Sequence, residues 1–155
     1  MEDGFGFKDS IDETCWTPLN LSYAYSNPNL MECVISKTLT EEQILSYRTS
    51  SDIGELEMVT LPLGVVGWDT FQSHTPLSVA LFISSLTNGE FTYQALRFLE
   101  ELVGKLPIVH NDDVCEAHIF CMEQPSIHGR FLCENSYVSS SEIADYCRKT
   151  IQNIM

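Results

Sequence analysis

Histidines, carboxylates and cysteines crowd together at one place in the chain, the stretch HNDDVCEAHIFC at residues 110–121. Imidazole nitrogens and thiolates are common zinc ligands, and a thiol beside an imidazole can act as a nucleophile. Both chemistries need the reacting atoms to lie within a few ångströms of one another. What this stretch can do therefore depends on the secondary structure that carries it.

The side chains of residues 114–122 alternate in a way that predicts a β-strand. In a strand, Cys115 and Cys121 lie roughly 20 Å apart, and His118 points to the opposite face. A hairpin with the next strand sets His118 opposite Cys133, and this pair is still two ligands short of a zinc site. We therefore predict no metal site and no catalytic residue in this stretch.

The rest of the chain carries no motif with a defined chemistry. The glycines of residues 64–71, GVVGWDTF, have neither the lysine of a phosphate-binding loop nor the spacing of a dinucleotide fingerprint. Residues 111–113 lack the spaced acids of a calcium loop, and no nucleophile elbow or HExxH motif occurs. These absences predict a protein that is not an enzyme and binds no cofactor. The alternative is a motif-poor enzyme that uses His74, His118 or Cys133.

The chain is strongly acidic, with 22 acidic against 8 basic residues and a net charge of −14. Nucleic-acid binding and adsorption to anionic membranes both depend on lysine and arginine, so the composition argues against them. The acid is concentrated in residues 1–60, which hold 11 acidic and 3 basic residues, a net charge of −8. Such a surface can steer and hold a basic protein partner.

The hydrophobic periodicity predicts an α+β fold, with a largely antiparallel sheet of about five strands covered by about four helices. Residues 1–155 are expected to form a single domain in which residues 1–14 are loosely ordered. A short helix opened by Asn27 and Pro28 is the alternative to the second strand. The predicted strands are residues 19–25, 30–36, 55–61, 114–122 and 129–134, and the predicted helices are residues 41–48, 76–88, 92–103 and a final helix after Ser139.

Two of the predicted helices have clear local signals. Thr75 and Pro76 are typical of a helix start, and Gly89 of a helix end. The helix between them has no charged residue, which predicts burial on two sides, either in the core or against a partner. Ser139 and Glu142 have the spacing of a capping box at the start of the last helix.

These observations predict a small acidic cytosolic protein that binds a basic surface of another protein. The best-fitting class is an inhibitor of the toxin-immunity or viral anti-defence type, with a nucleic-acid mimic as one variant. A dimeric acidic secretion-type chaperone is the alternative among interaction proteins, so a homodimer is kept as an alternative to the monomer. No secretory signal precedes the six cysteines, which are therefore expected to be reduced thiols in the cytoplasm. The predicted partner-binding residues are Glu41, Glu42, Asp52, Glu55, Glu57, Trp68 and Phe71.

Overall fold

A computed structural model describes residues 10–20, 22–47, 57–67 and 73–154, with the side chains of residues 153 and 154 excepted. These residues form six α-helices and five short β-strands. In chain order the elements are α1 (Pro28–Tyr47), β1 (Val59–Thr60), β2 (Val65–Gly67), α2 (Leu77–Phe82), α3 (Ser84–Thr87), α4 (Glu90–Val103), β3 (Leu106–His110), α5 (Asn111–Glu123), β4 (Gly129–Arg130), β5 (Ser136–Val138) and α6 (Ser140–Ile154).

The described strands form two small sheets. β3 is the central strand of the larger sheet, parallel to β2 on one side and antiparallel to β5 on the other. β1 and β4 pair in parallel as the smaller sheet. The predicted antiparallel sheet of about five strands is therefore wrong, because helices α2 to α4 provide the long crossover that parallel pairing of β2 and β3 requires.

The central strand β3 was not predicted from the sequence. It contains Pro107, and a proline within an apolar run argues against a central strand. Pro107 lies opposite Tyr137 of β5. On its other side the backbone of β2 comes very close. A Cβ atom added to Gly64 would lie 2.9 Å from the carbonyl carbon of Pro107. Glycine at position 64 therefore permits the approach of the two strands.

Helix α1 replaces the strand predicted at residues 30–36, and its last seven residues, 41–47, belong to the predicted helix 41–48. The side-chain oxygen of Asn27 accepts the backbone N–H of Leu30 at 3.1 Å, so the start at Asn27 and Pro28 is the one that forms. Residues 19–25 contain no strand among those described, and a turn occupies residues 24 and 25. Alternation over seven residues does not distinguish a strand from part of a long helix.

Helix α5 replaces the strand predicted at residues 114–122. It begins directly after β3, where Nδ1 of His110 accepts the backbone N–H of Asp112 at 3.1 Å. Asp112 and Asp113 lie in the first turn, where negative charge suits the helix dipole. The prediction that Cys115 and His118 point to opposite faces of a strand is therefore wrong, since residues three apart on a helix are neighbours.

The core lies between the larger sheet and the helices that cover it. Leu81 of α2, Leu96 of α4, Leu106 of β3 and Ile143 of α6 form the main buried cluster. A second cluster contains Phe98, whose ring meets the ring of Tyr23 edge to face at 5.5 Å. None of the described helices is both long and apolar enough to cross a membrane.

The predicted helix 76–88 is present as two pieces, α2 and α3, which meet at Ile83. The left-handed residue at its end is Asn88, with φ of 55°, and not the following Gly89. The next helix ends at Gly104, with φ of 84°. Both ends therefore use a residue type that tolerates positive φ.

The capping box predicted for the last helix is confirmed. The backbone N–H of Ser139 donates to Oε2 of Glu142 at 2.7 Å, and the backbone N–H of Glu142 donates to Oγ of Ser139 at 3.1 Å. Both hydrogen bonds join residues three apart in the chain, so the local sequence is sufficient to form them.

Replacing Ser139 by alanine is expected to lower the free energy of unfolding by about 1 kcal/mol, because the Glu142 N–H loses its acceptor. Chemical denaturation followed by circular dichroism measures this change. The matched control is Ser141→Ala in the first turn of the same helix, which should shift stability by less than about 0.5 kcal/mol. Equal effects of the two substitutions would contradict the capping role of Ser139.

A candidate ligand cavity at the ends of the parallel strands

A cavity of about 670 Å³ opens at the carboxyl ends of β2 and β3. Gly67 and His110, the last residues of these strands, are paired in the sheet and both line the cavity. Helix α2 contributes Phe82, and α6 contributes residues from its first two turns. In open α/β sheets ligands bind outside the carboxyl ends of parallel strands. The position and size of this cavity are therefore those of a small-molecule site.

The interior of the cavity is apolar. Ile108 and Val109 of β3, Val138 of β5 and Ile143 of α6 are all buried or partly buried. At the end of β2, Gly67 leaves room for an aromatic ring, since a Cβ atom there would lie 3.1 Å from Cε2 of Phe82. These surfaces suit a flat, apolar ring system.

The mouth of the cavity is polar and exposed. It is lined by Asn135 and Ser136 at the start of β5 and by Glu142 and Tyr146 on α6. Glu142 and Tyr146 are four residues apart, so they lie on the same face of the helix. The side-chain amide of Asn135 donates to the carboxylate of Asp113, which fixes the loop before β5 against the first turn of α5. The site therefore combines an apolar interior with polar groups at its rim.

The pKa of the Glu142 carboxyl lies below its ordinary value. The backbone N–H of Ser139 is the main cause, followed by the Ser139 hydroxyl and the positive charge of Lys105, whose Nζ lies 3.7 Å from Oε2. These donors all favour the charged form. Glu142 is therefore an ionised carboxylate in a fixed position at the mouth.

Two of the predicted partner-binding residues make contacts within the chain. Glu41 pairs with Nε of Arg130 at 3.0 Å. Glu57 accepts hydrogen bonds from the Ser126 hydroxyl and the backbone N–H of Ile127. Glu42 is exposed on α1. Asp52, Glu55, Trp68 and Phe71 lie outside the described residues, and the role of all seven in partner binding stays a prediction.

In the part of the chain that the structure describes, no hydrogen bond joins the residues of the alternative Cys/His site, His74, His118 and Cys133. His118 is exposed on α5, where its Nδ1 lies 2.7 Å from the backbone oxygen of Val114. Burial raises the pKa of the Cys133 thiol, with further contributions from Asp113, Cys121 and Glu134. A raised pKa disfavours the reactive thiolate. His74 is exposed and does not line the cavity.

Metal-binding geometry is also lacking in the part of the chain that the structure describes. No three potential ligands among histidine, cysteine, aspartate and glutamate approach closely enough there to hold an ion. All six cysteines are free thiols. The opening cluster of residues 110–121 therefore serves mainly as a helix start, in which His110 is the cap.

The cavity itself was not predicted from the sequence, because its lining comes from five separate elements, namely β2, α2, β3, β5 and α6. Residues 62–76 were interpreted as a loop, although the three residues VVG within them form β2, which ends at the cavity. The only sequence signal was the glycine at position 67 after two β-branched residues, which is typical of a close backbone approach.

The described residues form an α/β fold with a candidate small-molecule cavity at the ends of parallel strands, and the relatives of the chain are named as reductases. No protein-family model matches the chain. It is 36% identical over 140 residues, 90% of its length, to a Ginkgo biloba protein named "Putative anthocyanidin reductase". It is 29% identical over 147 residues to an anthocyanidin reductase ((2S)-flavan-3-ol-forming) of Vitis vinifera, and 29% identical over 138 residues to a dihydroflavonol 4-reductase of Solanum lycopersicum. These alignments cover 95% and 89% of this chain.

The chain spans only part of these relatives, namely 40% of the Ginkgo protein, 42% of the Vitis protein and 33% of the Solanum protein. All three are nevertheless named as reductases. The predictions of a protein-binding inhibitor and of a non-enzyme are therefore wrong, and so is the alternative of a secretion-type chaperone. An acidic surface and the absence of short motifs are compatible with many enzymes, because active sites are assembled from distant residues.

Reductases commonly take hydride from a nicotinamide dinucleotide, whose pyrophosphate binds at a helix N-terminus after a parallel strand. In the described residues this junction occurs directly between β3 and α5. It has no glycine, and Asp112 and Asp113 occupy its first turn. Their carboxylates would repel a phosphate group. This junction therefore does not fit the dinucleotide.

Proposed function

We propose that this chain functions in a reductase of flavonoid polyphenols and that its cavity holds the polyphenol. The observation that carries the proposal is the 36% identity over 90% of the chain to the Ginkgo protein. The cavity supports it independently. Anthocyanidins are flat three-ring molecules with hydroxyl groups at their edges. Dihydroflavonols and flavan-3-ols have the same three rings and hydroxyl groups, but their central ring is saturated.

The lining of the cavity matches the chemistry of such a ligand. The rings would lie between Phe82 and the apolar side chains of β3 and α6, and the hydroxyl groups would reach the polar mouth. A volume of about 670 Å³ lies within the roughly 300–1,000 Å³ of typical ligand sites. The described residues thus supply the binding of the organic substrate, whereas the β3–α5 junction does not fit a dinucleotide.

The six free thiols support a cytoplasmic location, since disulfides are rare in that compartment. We therefore include a cytoplasmic location in the proposal.

Binding of a polyphenol is tested by isothermal titration calorimetry of the 155-residue chain with dihydroquercetin, a dihydroflavonol, and with catechin, a flavan-3-ol. We expect saturable binding with a dissociation constant in the micromolar range, because burial of two aromatic rings supplies most of the free energy. NADPH titrated in the same way is expected to show no binding. Failure of both polyphenols to bind would overturn the proposal.

A variant that blocks the mouth of the cavity tests whether the polyphenol binds there. Ser136→Trp places a large ring at the exposed mouth and should lower polyphenol affinity at least roughly tenfold, a loss of about 1.4 kcal/mol. The matched control is Ser85→Trp, an exposed position on α3 that does not line the cavity. Both variants should melt close to the parent temperature. Equal binding by the two variants would show that the polyphenol lies elsewhere.

A further inference from the structure

We propose that the cavity takes a glycosylated polyphenol, whose sugar is held at the mouth by Tyr146 and Glu142. This inference rests on the proposed function, and it goes beyond the relatives' names, which refer to aglycones, by adding a sugar to the ligand. The carrying observation is the division of the cavity into two zones of different chemistry. The apolar zone fits aromatic rings, and the exposed polar zone fits a group with many hydroxyls.

Tyr146 is the unusual residue at the mouth, because 72% of this large aromatic side chain is exposed. It lies one turn after Glu142 and beside Cys147, which faces the cavity. A tyrosine offers a broad apolar face at a small cost in conformational entropy. The pyranose ring of a sugar has an apolar C–H face that can pack on such a ring. Tyr146 can therefore cover a sugar that extends from the cavity.

Glu142 supplies the hydrogen-bond acceptor that a sugar requires. Its carboxylate is held by the backbone N–H and the hydroxyl of Ser139, both at 2.7–2.8 Å from Oε2. Hydroxyl groups that donate to a fixed carboxylate form strong, charge-assisted hydrogen bonds. An aglycone brings only the hydroxyl groups at its edge to the mouth, whereas a sugar brings several vicinal hydroxyls that can donate to Glu142.

Asn135 and Ser136 complete the polar rim on the opposite side, from β5. The Asn135 side chain is fixed by its hydrogen bond to the Asp113 carboxylate. A rim whose polar groups are already positioned loses less entropy when a ligand binds. The sugar would thus lie between the α6 face of Tyr146 and Glu142 and the start of β5.

The test compares catechin with catechin 7-O-glucoside by calorimetry on the 155-residue chain and its variants. We expect the glucoside to bind roughly tenfold more tightly than catechin. Tyr146→Ala should remove most of this advantage, so that the glucoside and catechin bind the variant with dissociation constants within about twofold of each other. Glu142→Gln should weaken glucoside binding in the same way, and glutamine at this position preserves the capping box. Tyr93→Ala, an exposed tyrosine of α4 away from the cavity, is the matched control.

The outcomes separate this inference from the proposed function. If both ligands bind equally and Tyr146→Ala changes neither, the glycoside inference is overturned while the proposed function stands. If neither ligand binds the parent chain, both are overturned. Melting curves of all variants exclude a loss of folding as the cause, since Tyr146 and Glu142 are exposed.

Discussion

The Leu81→Asp variant is expected to lose most of its stability and to unfold near room temperature. Leu81 is 7% exposed and packs in the main cluster with Leu96, Leu106 and Ile143. Removal of a buried leucine side chain costs about 2–5 kcal/mol. A carboxylate placed in these apolar surroundings, without a partner, adds a further cost of several kcal/mol after relaxation. Domains of this size have only about 5–15 kcal/mol in total.

The matched control for Leu81→Asp is Leu86→Asp in the adjoining helix α3. Leu86 is 45% exposed, so the introduced carboxylate remains in water. We expect this variant to stay within about 1 kcal/mol of the parent in urea denaturation. If the two variants lose stability equally, the orientation of the uncharged helix segment is not the one described.

Arg130→Met is expected to lower the free energy of unfolding by about 3–5 kcal/mol, the usual cost of breaking a buried ion pair from one side. Arg130 Nε donates to Glu41 at 3.0 Å, and its terminal nitrogen donates to the backbone oxygens of Glu13 and Cys15 at 3.0 and 2.9 Å. The guanidinium also lies 4.5 Å from the ring centre of Trp16. Both charged side chains are largely buried, at 10% and 18% exposure.

Arg148→Met is the matched control for this buried pair. Arg148 also pairs with a carboxylate, Asp145, but both side chains are more than 60% exposed. Exposed pairs contribute between about 0 and 1 kcal/mol, so stability should hardly change. The double substitution of Arg130→Met with Glu41→Met should recover part of the lost stability, because no unpaired charge then remains. Absence of any such recovery would contradict the ion pair as the source of the effect.

The structure also shows that two of the predicted partner-binding carboxylates have partners within the chain. Glu41 was predicted to contact a basic partner, yet its carboxylate binds an arginine 89 residues away in the same chain. Glu57 similarly binds a loop 69 residues away. A count of charges gives the net field, but it does not say which carboxylates are occupied by internal partners.

Two features that depend on residues a few positions apart were predicted correctly from the sequence, namely the capping box of Ser139 and Glu142 and the end of α4 before Gly104. A helix also begins near Pro76, but without a side-chain capping hydrogen bond. The hydrogen bonds and dihedral angles of the capping box and of the α4 end are determined within one helical turn, so distant residues have little influence.

Features that depend on tertiary neighbours could not be predicted from the local sequence. Parts of α1 and α5 have short alternations of apolar and polar residues, which are compatible with a strand or a helix. Packing against other elements decides which of the two forms. Strand β3 forms despite Pro107, because Gly64 and Tyr137 flank it in a sheet built from separate parts of the chain. The cavity requires the ends of β2 and β3 to meet α6, and only long-range packing brings these elements together. The sequence thus determined the capping box of α6, the end of α4 and the net charge, whereas the tertiary structure decided the sheet, the internal ion pairs and the site.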